Sequence, residues 1–118
     1  MHRMMGMAPK YVPPYDRRER HMPGMNYAGP GTDVNRRIRN KVQPMNALDA
    51  ACLQHDLDVE TRGPRRAKTK AQVRASDKRL ERKAKGIAIS RNSSKDEKRQ
   101  AWIVYYAMRA NRWRPSRR

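Results

Sequence analysis

Hydrophobic residues recur at helical spacing through the second half of the chain, and no segment alternates as a β-strand would. The clearest helix begins after Asn46, whose side chain suits an N-cap, and ends before Gly63 and Pro64. The stripe that faces inward consists of Leu48, Ala51, Cys52, His55 and Val59. The pattern therefore predicts a helix with one buried face.

Two further helices are predicted after this one. The first covers 66–85, up to the glycine that follows, and Asp77 shares its sparse apolar face. The second begins at the capping-box pair Ser94 and Glu97 and runs to about residue 111. Its centre is the most apolar stretch of the chain, which we expect to pack in the core.

The first half of the chain lacks such periodicity. Residues 1–23 form a basic arm rich in Met and Pro, which we expect to be extended and ordered only against a partner. A tight loop is predicted over 27–32, where glycines flank a proline, and 33–43 have the spacing of one or two helical turns. The predicted organisation is this arm, a helical domain over 24–111 and an Arg-rich tail over 112–118.

Composition limits the size of the core. Leu, Ile, Val and Phe together supply only 14 of the 118 residues, and 29 Lys and Arg face 11 Asp and Glu, a net charge of +18. Composition of this kind alone favours a disordered or partner-dependent chain. An ordered core must therefore be small and must rely on Ala, Met, Tyr and Trp.

Three classes of protein are excluded or disfavoured by what the sequence lacks. No apolar run approaches the length of about 18 residues that a transmembrane helix needs. The basic N-terminus lacks an apolar stretch of signal-peptide length, which argues against secretion by that route. The single cysteine, Cys52, excludes a disulfide-stapled mini-protein. We therefore expect a small, complete, intracellular or particle-bound protein whose partners are polyanions.

The charge is unevenly distributed. Residues 1–43 carry +6 and 62–118 carry +16, whereas 44–61 carry −4 and contain no Lys or Arg. Either a cation site or a pairing surface for the basic arms explains such a segment. We expect Asp49 to be structural, because a carboxylate in the first turn favours the positive end of the helix dipole. The four carboxylates of the segment are Asp49, Asp56, Asp58 and Glu60.

The acidic segment also contains the pair His55 and Asp56, downstream of the Gly-Pro-Gly loop. Adjacent side chains of a helix point about 100° apart, so Asp56 can face the loop while His55 faces a cleft. A glycine-rich loop can direct several carbonyl oxygens at one point, and oxygen ligands suit calcium. His55 then acts as a general base if Asp77 holds its far nitrogen. Alternatively, His55 is a satisfied helical histidine and the loop is only a turn.

These residues resemble a known family. The run 44–56, Pro-Met-Asn-Ala-Leu-Asp-Ala-Ala-Cys-Leu-Gln-His-Asp, closely resembles the catalytic helix of the phospholipase A2 domain in parvovirus minor capsid proteins. Residues 27–31, Tyr-Ala-Gly-Pro-Gly, are similar to the calcium loop of that family. Residues 75–80, Ala-Ser-Asp-Lys-Arg-Leu, are similar to the region that supplies its second catalytic carboxylate. The resemblance covers roughly 24–110.

The resemblance implies a calcium-dependent phospholipase A2 on a mainly α, disulfide-free domain with two to three helices and a Gly-rich calcium loop. His55 would take a proton from the water that attacks the sn-2 ester of a glycerophospholipid, and Asp77 would orient the imidazole. Val59 departs from the family, which usually has a tyrosine there to support the second carboxylate. The implied calcium ligands are the carbonyl oxygens of Tyr27, Gly29 and Gly31 and the carboxylate of Asp56.

The resemblance further implies a virion-associated protein that contacts a phospholipid membrane and viral capsid proteins and breaches a host endosomal membrane on the way to the cytoplasm. The basic flanks support a rival hypothesis, a non-catalytic virion protein that binds packaged nucleic acid on a degenerate phospholipase-like scaffold. A cationic membrane-disrupting protein is a third alternative, but it leaves the loop and the His-Asp pair unexplained. Calcium-dependent release of fatty acid separates the first hypothesis from the second.

Overall fold

A computed structural model describes residues 8–60 and 69–110 of this protein, and the regular structure of these residues is helical. Within these residues the chain contains four helices and no strand, and the cysteine is a buried free thiol. The mainly helical, disulfide-free fold predicted from the sequence is confirmed. No helix of the described part has the length and apolar character needed to cross a membrane. The elements are α1 (Val34–Arg39), α2 (Ala47–Val59), α3 (Lys70–Ile89) and α4 (Lys95–Arg109).

The helix starts follow from local capping. Asn46 and Ser94 cap α2 and α4 as predicted, each accepting the backbone N–H three residues further on. Thr69 caps α3 in the same way and forms a capping box with Gln72. The predicted start of this helix at residue 66 lies outside the described residues. Side chains of these types satisfy the free backbone donors of a helix start, so nearby sequence is enough to specify it.

The end of α2 lies earlier than predicted. The helix stops at Val59, and Glu60 adopts an extended backbone with φ −65° and ψ 127°. Glu60 is still buried, so the chain leaves the helix while it is inside the protein. The predicted stop at Gly63 and Pro64 lies outside the described residues.

The prediction that α3 closes at Gly86 is wrong, because the helix continues to Ile89. An isolated glycine within a helix costs only about 1 kcal/mol relative to alanine. Ala84 and Ala88, on either side of the glycine, are buried in the core that α3 shares with α4. Burial of this face therefore outweighs the glycine.

The core is as small as the composition predicts. Of the apolar run expected in the core near the centre of α4, Val104 and Met108 are buried, whereas Ile103 and Tyr106 are exposed. Only one stripe of α4 therefore packs inward. The buried hydrophobic cluster comprises Met25, Tyr27, Ala28, Val34, Leu48, Ala51, Cys52, Leu80, Ala84, Ala88, Ala101, Val104 and Met108.

Residues 8–23, the described part of the N-terminal arm, are ordered against the domain itself. They contain no helix, and for them the prediction of order only against a partner is wrong. The side-chain amide of Asn26 donates to the carbonyl oxygens of Lys10 and Gln43, both at 2.8 Å. Its side-chain oxygen accepts the N–H of Val12, also at 2.8 Å. The predicted limits of arm, domain and tail stay predictions, because both chain ends lie outside the described residues.

Asp49 joins α2 to the loop that precedes α1. Its fully buried carboxylate accepts the backbone N–H groups of Asn26, Tyr27 and Met45 at distances of 2.7 to 2.9 Å. Hydrogen bonds to a charged acceptor are stronger than neutral ones, so this side chain fixes the loop on the helix. The structural role predicted for Asp49 is confirmed. Beyond any effect on the dipole of its own helix, its carboxylate bonds to backbone groups 23 and 22 positions earlier in the chain.

We expect Asp49→Asn to lower the free energy of unfolding by about 2–4 kcal/mol, because an amide nitrogen then faces backbone donors in the interior. Urea unfolding followed by circular dichroism measures this change. Asp96→Asn is the matched control, since Asp96 is exposed in the first turn of α4. The control should change stability by less than about 0.5 kcal/mol. Equal effects of the two substitutions would contradict the role given to Asp49.

Candidate active site

The predicted tight loop over 27–32, whose residues 27–31 resemble a calcium loop, brings two backbone carbonyl oxygens together. Thr32 Oγ1 lies 2.8 Å from the carbonyl oxygen of Gly29 and 3.5 Å from that of Tyr27. Gly31 has φ of +74°, in the left-handed region that favours glycine. Two of the three carbonyl oxygens predicted as ligands therefore converge on one hydroxyl group.

Tyr27 anchors the loop in the core. Its phenol is buried and donates to the carbonyl oxygen of Val42 at 2.8 Å. Burial raises the pKa of this phenol above its usual range, and the carboxylates of Asp49 and Asp56 contribute in the same direction. The buried phenol therefore stays neutral and fixes the first residue of the loop in the core.

The structure brings His55 of α2 and Asp77 of α3 together. The distance from His55 Nε2 to Asp77 Oδ1 is 2.7 Å, and the two side chains are only 1% and 9% exposed. A buried hydrogen bond to a carboxylate fixes the orientation of the ring. The dyad predicted from the sequence is therefore assembled, and its catalytic role stays a prediction.

The other ring nitrogen, His55 Nδ1, is buried and has no hydrogen-bond partner among the described residues. It lies 3.8 Å from Asp56 Oδ1. Asp56 Oδ2 is likewise buried without a hydrogen-bond partner in this part of the chain. Buried polar atoms are almost always satisfied in folded proteins. The two atoms therefore mark a place suited to a ligand, and they argue against a merely structural histidine.

The electrostatics favour a cation beside Asp56. Burial, helped by the nearby carboxylates, raises the pKa of the Asp56 carboxyl to about 7, although His55 acts to lower this pKa. Burial lowers the pKa of His55, but the carboxylates of Asp56 and Asp77 outweigh it and raise the pKa to about 9. A negative charge on Asp56 is therefore costly in this buried place, and a bound cation would lower that cost.

The residues present fit calcium. The carboxylate of Asp56 and the loop carbonyl groups offer only oxygen atoms as donors, and oxygen donors are the kind that calcium takes. In residues 8–60 and 69–110 no group of three or more His, Cys, Asp or Glu side chains is arranged to hold a metal. A cation at this place would therefore depend on backbone carbonyl oxygens and on a single carboxylate. The ligand roles of these groups stay predictions.

Most of the chain matches a known protein family. A family model described as a phospholipase A2-like domain matches residues 18–104. The chain belongs to this family. The matched residues of this phospholipase A2-like domain include the loop, the His-Asp helix and Asp77, and the resemblance drawn from the sequence is confirmed. No curated protein and no solved structure matches the chain.

A hydrogen-bonded bridge in the phospholipase A2-like domain lies beside the dyad and was not predicted. Ser76 Oγ donates to Asp58 Oδ2 at 2.8 Å, and Arg79 Nη2 lies 3.3 Å from the same oxygen. Asp58 follows His55 by three residues, and Ser76 directly precedes Asp77. The bridge therefore joins α2 to α3 next to the two side chains that must meet. In the sequence, the bridge is indicated only by the short distance of Asp58 from His55 and of Ser76 from Asp77 along the chain.

A shallow depression opens to solvent beside His55 between α2 and α3. Leu80 contributes an apolar wall, and the exposed side chains of Arg79 and Lys83 also line it.

Val59, at the position where the family usually has a tyrosine, is 7% exposed and has no polar side-chain atom to offer. Support for the dyad in this chain therefore does not come from that position.

Proposed function

We propose that this chain is a calcium-dependent phospholipase A2 that hydrolyses the sn-2 ester of glycerophospholipids. The observation that carries the proposal is the 2.7 Å hydrogen bond from His55 Nε2 to Asp77 Oδ1, which leaves Nδ1 beside Asp56. A histidine that is oriented at one nitrogen and open at the other is arranged as a general base. Membership of the phospholipase A2-like family supports the same chemistry.

The proton movements follow from this arrangement. Asp77 accepts a hydrogen bond from Nε2–H and thereby selects the tautomer in which Nδ1 carries a lone pair. His55 Nδ1 takes a proton from a water molecule as the water oxygen bonds to the carbonyl carbon of the sn-2 ester. The carboxylates of Asp56 and Asp77 stabilise the imidazolium. The same proton then passes to the glycerol oxygen as the ester bond breaks.

The carbonyl oxygens of Tyr27, Gly29 and Gly31 and the carboxylate of Asp56 would hold the calcium ion. When bound, calcium supplies positive charge for the substrate phosphate and for the oxyanion that develops at the ester carbonyl. Asp49 keeps the loop on α2 through the N–H of Tyr27, so the loop and Asp56 have a common support.

Release of fatty acid from vesicles tests this function. The full chain is incubated with phosphatidylcholine vesicles labelled in the sn-2 acyl chain, in millimolar calcium or in excess chelator. We expect labelled fatty acid and lysophospholipid in calcium. The chelator should lower the rate by about 100-fold or more, the scale of losing a group that stabilises an oxyanion. Release that is equal in the two conditions, or absent from both, contradicts the proposal.

We further propose that the protein acts from a virion and opens a host endosomal membrane on the way to the cytoplasm, with phospholipid membranes and viral capsid proteins as partners. The resemblance of the loop and the His-Asp helix to the parvovirus domain supports this setting. The net charge of +18 supports attraction to anionic lipid surfaces.

The exposed face of α3 favours a second candidate function, the binding of nucleic acid inside the particle. Cations that follow one another at three- or four-residue spacing neutralise phosphates along a polyanion. If the chain released no fatty acid in millimolar calcium but bound DNA tightly and lost that binding steeply with salt, this function would replace the first. The exposed cations on this face are Lys70, Arg74, Lys78, Arg82 and Lys85.

A further inference from the structure

Residues 12–22, which we call the N-terminal strap, lie against the calcium loop. The backbone N–H of Arg20 donates to the carbonyl oxygen of Pro30 at 3.1 Å. The N–H of Met22 donates to the carbonyl oxygen of Ala28 at 2.9 Å. The strap and the loop are therefore paired through alternate residues, backbone against backbone.

This pairing determines which way the loop carbonyl groups point. The strap takes the carbonyl oxygens of Ala28 and Pro30, whereas the carbonyl group of Gly29 between them bonds to the hydroxyl of Thr32. The carbonyl oxygen of Tyr27 approaches the same hydroxyl, so two of the proposed calcium ligands meet there and are not taken by the strap. The approach is so close that a Cβ atom on Gly29 would overlap the carbonyl oxygen of Arg20.

Glu19 holds the strap in this position. Its buried carboxylate accepts the N–H groups of Tyr15 and Asp33, both at 2.7 Å, and so joins the strap to the residue that follows the loop. The same carboxylate accepts two N–H groups of Arg37, both at 3.1 Å, and both side chains are fully buried. Arg37 also donates to two strap carbonyl oxygens at 2.9 and 3.0 Å. A buried bidentate pair of this kind fixes geometry.

We propose that Glu19 is a positioning residue of the calcium site and that the strap is part of that site. The inference rests on the proposed function. Glu19 acts through the strap, which orients the loop carbonyl groups, and the residue itself is not a ligand. The family match begins at residue 18 and so includes Glu19, which supports a place for this residue in the domain.

Calcium affinity of the full chain tests the inference. Glu19→Gln keeps the size of the side chain but turns one acceptor into a donor facing Arg37. By isothermal titration calorimetry we expect calcium binding to weaken by about 10- to 100-fold, the scale of losing a group that orients a metal ligand. Half-maximal hydrolysis by this variant should need more calcium, in proportion to the loss of affinity.

The matched control is Glu81→Gln on α3. Glu81 lies 4.0 Å from Arg109, a long and partly exposed ion pair of little energetic weight. The substitution makes the same change of charge far along the chain from the strap. We expect this variant to bind calcium as tightly as the wild-type protein does.

Hydrogen exchange of the wild-type chain provides a second measurement that does not depend on the folding of a variant. The amides of Arg20 and Met22 should be protected by their bonds to the loop. Calcium at about 100 times its Kd should slow their exchange by a further factor of about 100, because opening of the strap would have to release the ion.

The outcomes separate this inference from the proposed function. If the wild-type chain binds no calcium, the proposed function fails and the inference fails with it. If the wild-type chain binds calcium and folded Glu19→Gln binds it equally tightly, only the inference is overturned. Exchange of the strap amides that does not respond to bound calcium overturns the inference in the same way.

Discussion

Replacing His55 by glutamine is expected to lower kcat/KM for phospholipid hydrolysis by about 100- to 10,000-fold, the contribution of a general base. Glutamine fills much of the volume of histidine, so the contact between α2 and α3 is retained. Its amide takes up no proton near neutral pH, so the attacking water keeps its proton. The measurement is the rate of sn-2 fatty acid release at saturating calcium, with calcium affinity determined in parallel.

Two comparisons show whether this loss is chemical. Arg91→Gln, at an exposed position between α3 and α4, should leave the rate unchanged. Asp77→Asn should lose activity to a similar degree, and the double variant should lose no more than either single variant, because the two groups act as a unit. Losses that multiply in the double variant, or wild-type activity in His55→Gln, contradict the role of this pair.

Asp56→Asn is expected to remove calcium binding while leaving the calcium-free protein at least as stable as the wild type. The Oδ2 atom is buried without a hydrogen-bond partner in the described part of the chain, so a charge there costs free energy when no cation is bound. Asparagine keeps the shape of the side chain and removes the charge. Because Asp56 is the single carboxylate of the proposed ligand set, we expect calcium affinity to fall by about 100-fold or more.

Calorimetry with calcium and thermal unfolding in chelator measure these two effects separately. Calcium at about 100 times its Kd should stabilise the wild-type protein by about 2.7 kcal/mol, and this gain should vanish in Asp56→Asn. Asp96→Asn, exposed on α4, should keep both the binding and the gain. A variant at Asp56 that binds calcium normally, or that is strongly destabilised in chelator, would show that this carboxylate is structural.

The helix starts and the chemistry-bearing residues could be predicted because their signals are local. An N-cap such as Ser94 acts on a backbone N–H three residues away, and the His-Asp pair is adjacent in sequence. The helix end near Gly86 could not be predicted in this way. The penalty for glycine within a helix is about 1 kcal/mol, which burial against another helix easily outweighs. That other helix is α4, which lies later in the chain, so the residues around Gly86 do not reveal the burial.

The supports of the candidate site were also beyond sequence reasoning. The Ser76–Asp58 bridge joins residues 18 positions apart, and the Glu19–Arg37 pair also joins residues 18 positions apart. Neither pair leaves a periodic pattern in the sequence. The sequence therefore predicts that the strap belongs to an arm that is ordered only against a partner. Its Met and Pro content indicated an extended arm, whereas Glu19 of the strap and Arg37 of α1 are fully buried against each other.

By itself, the sequence determined where α2 and α4 begin, which loop and which helix carry oxygen and imidazole groups, and that the core must be small. These properties depend on residues within about one helical turn and on composition. Only the tertiary structure decided that His55 Nε2 meets Asp77, that Nδ1 lies beside Asp56, and that the strap pairs with the loop through backbone hydrogen bonds. Such pairings depend on how separate segments pack, and atoms far apart in sequence meet only once the core has brought their backbones together.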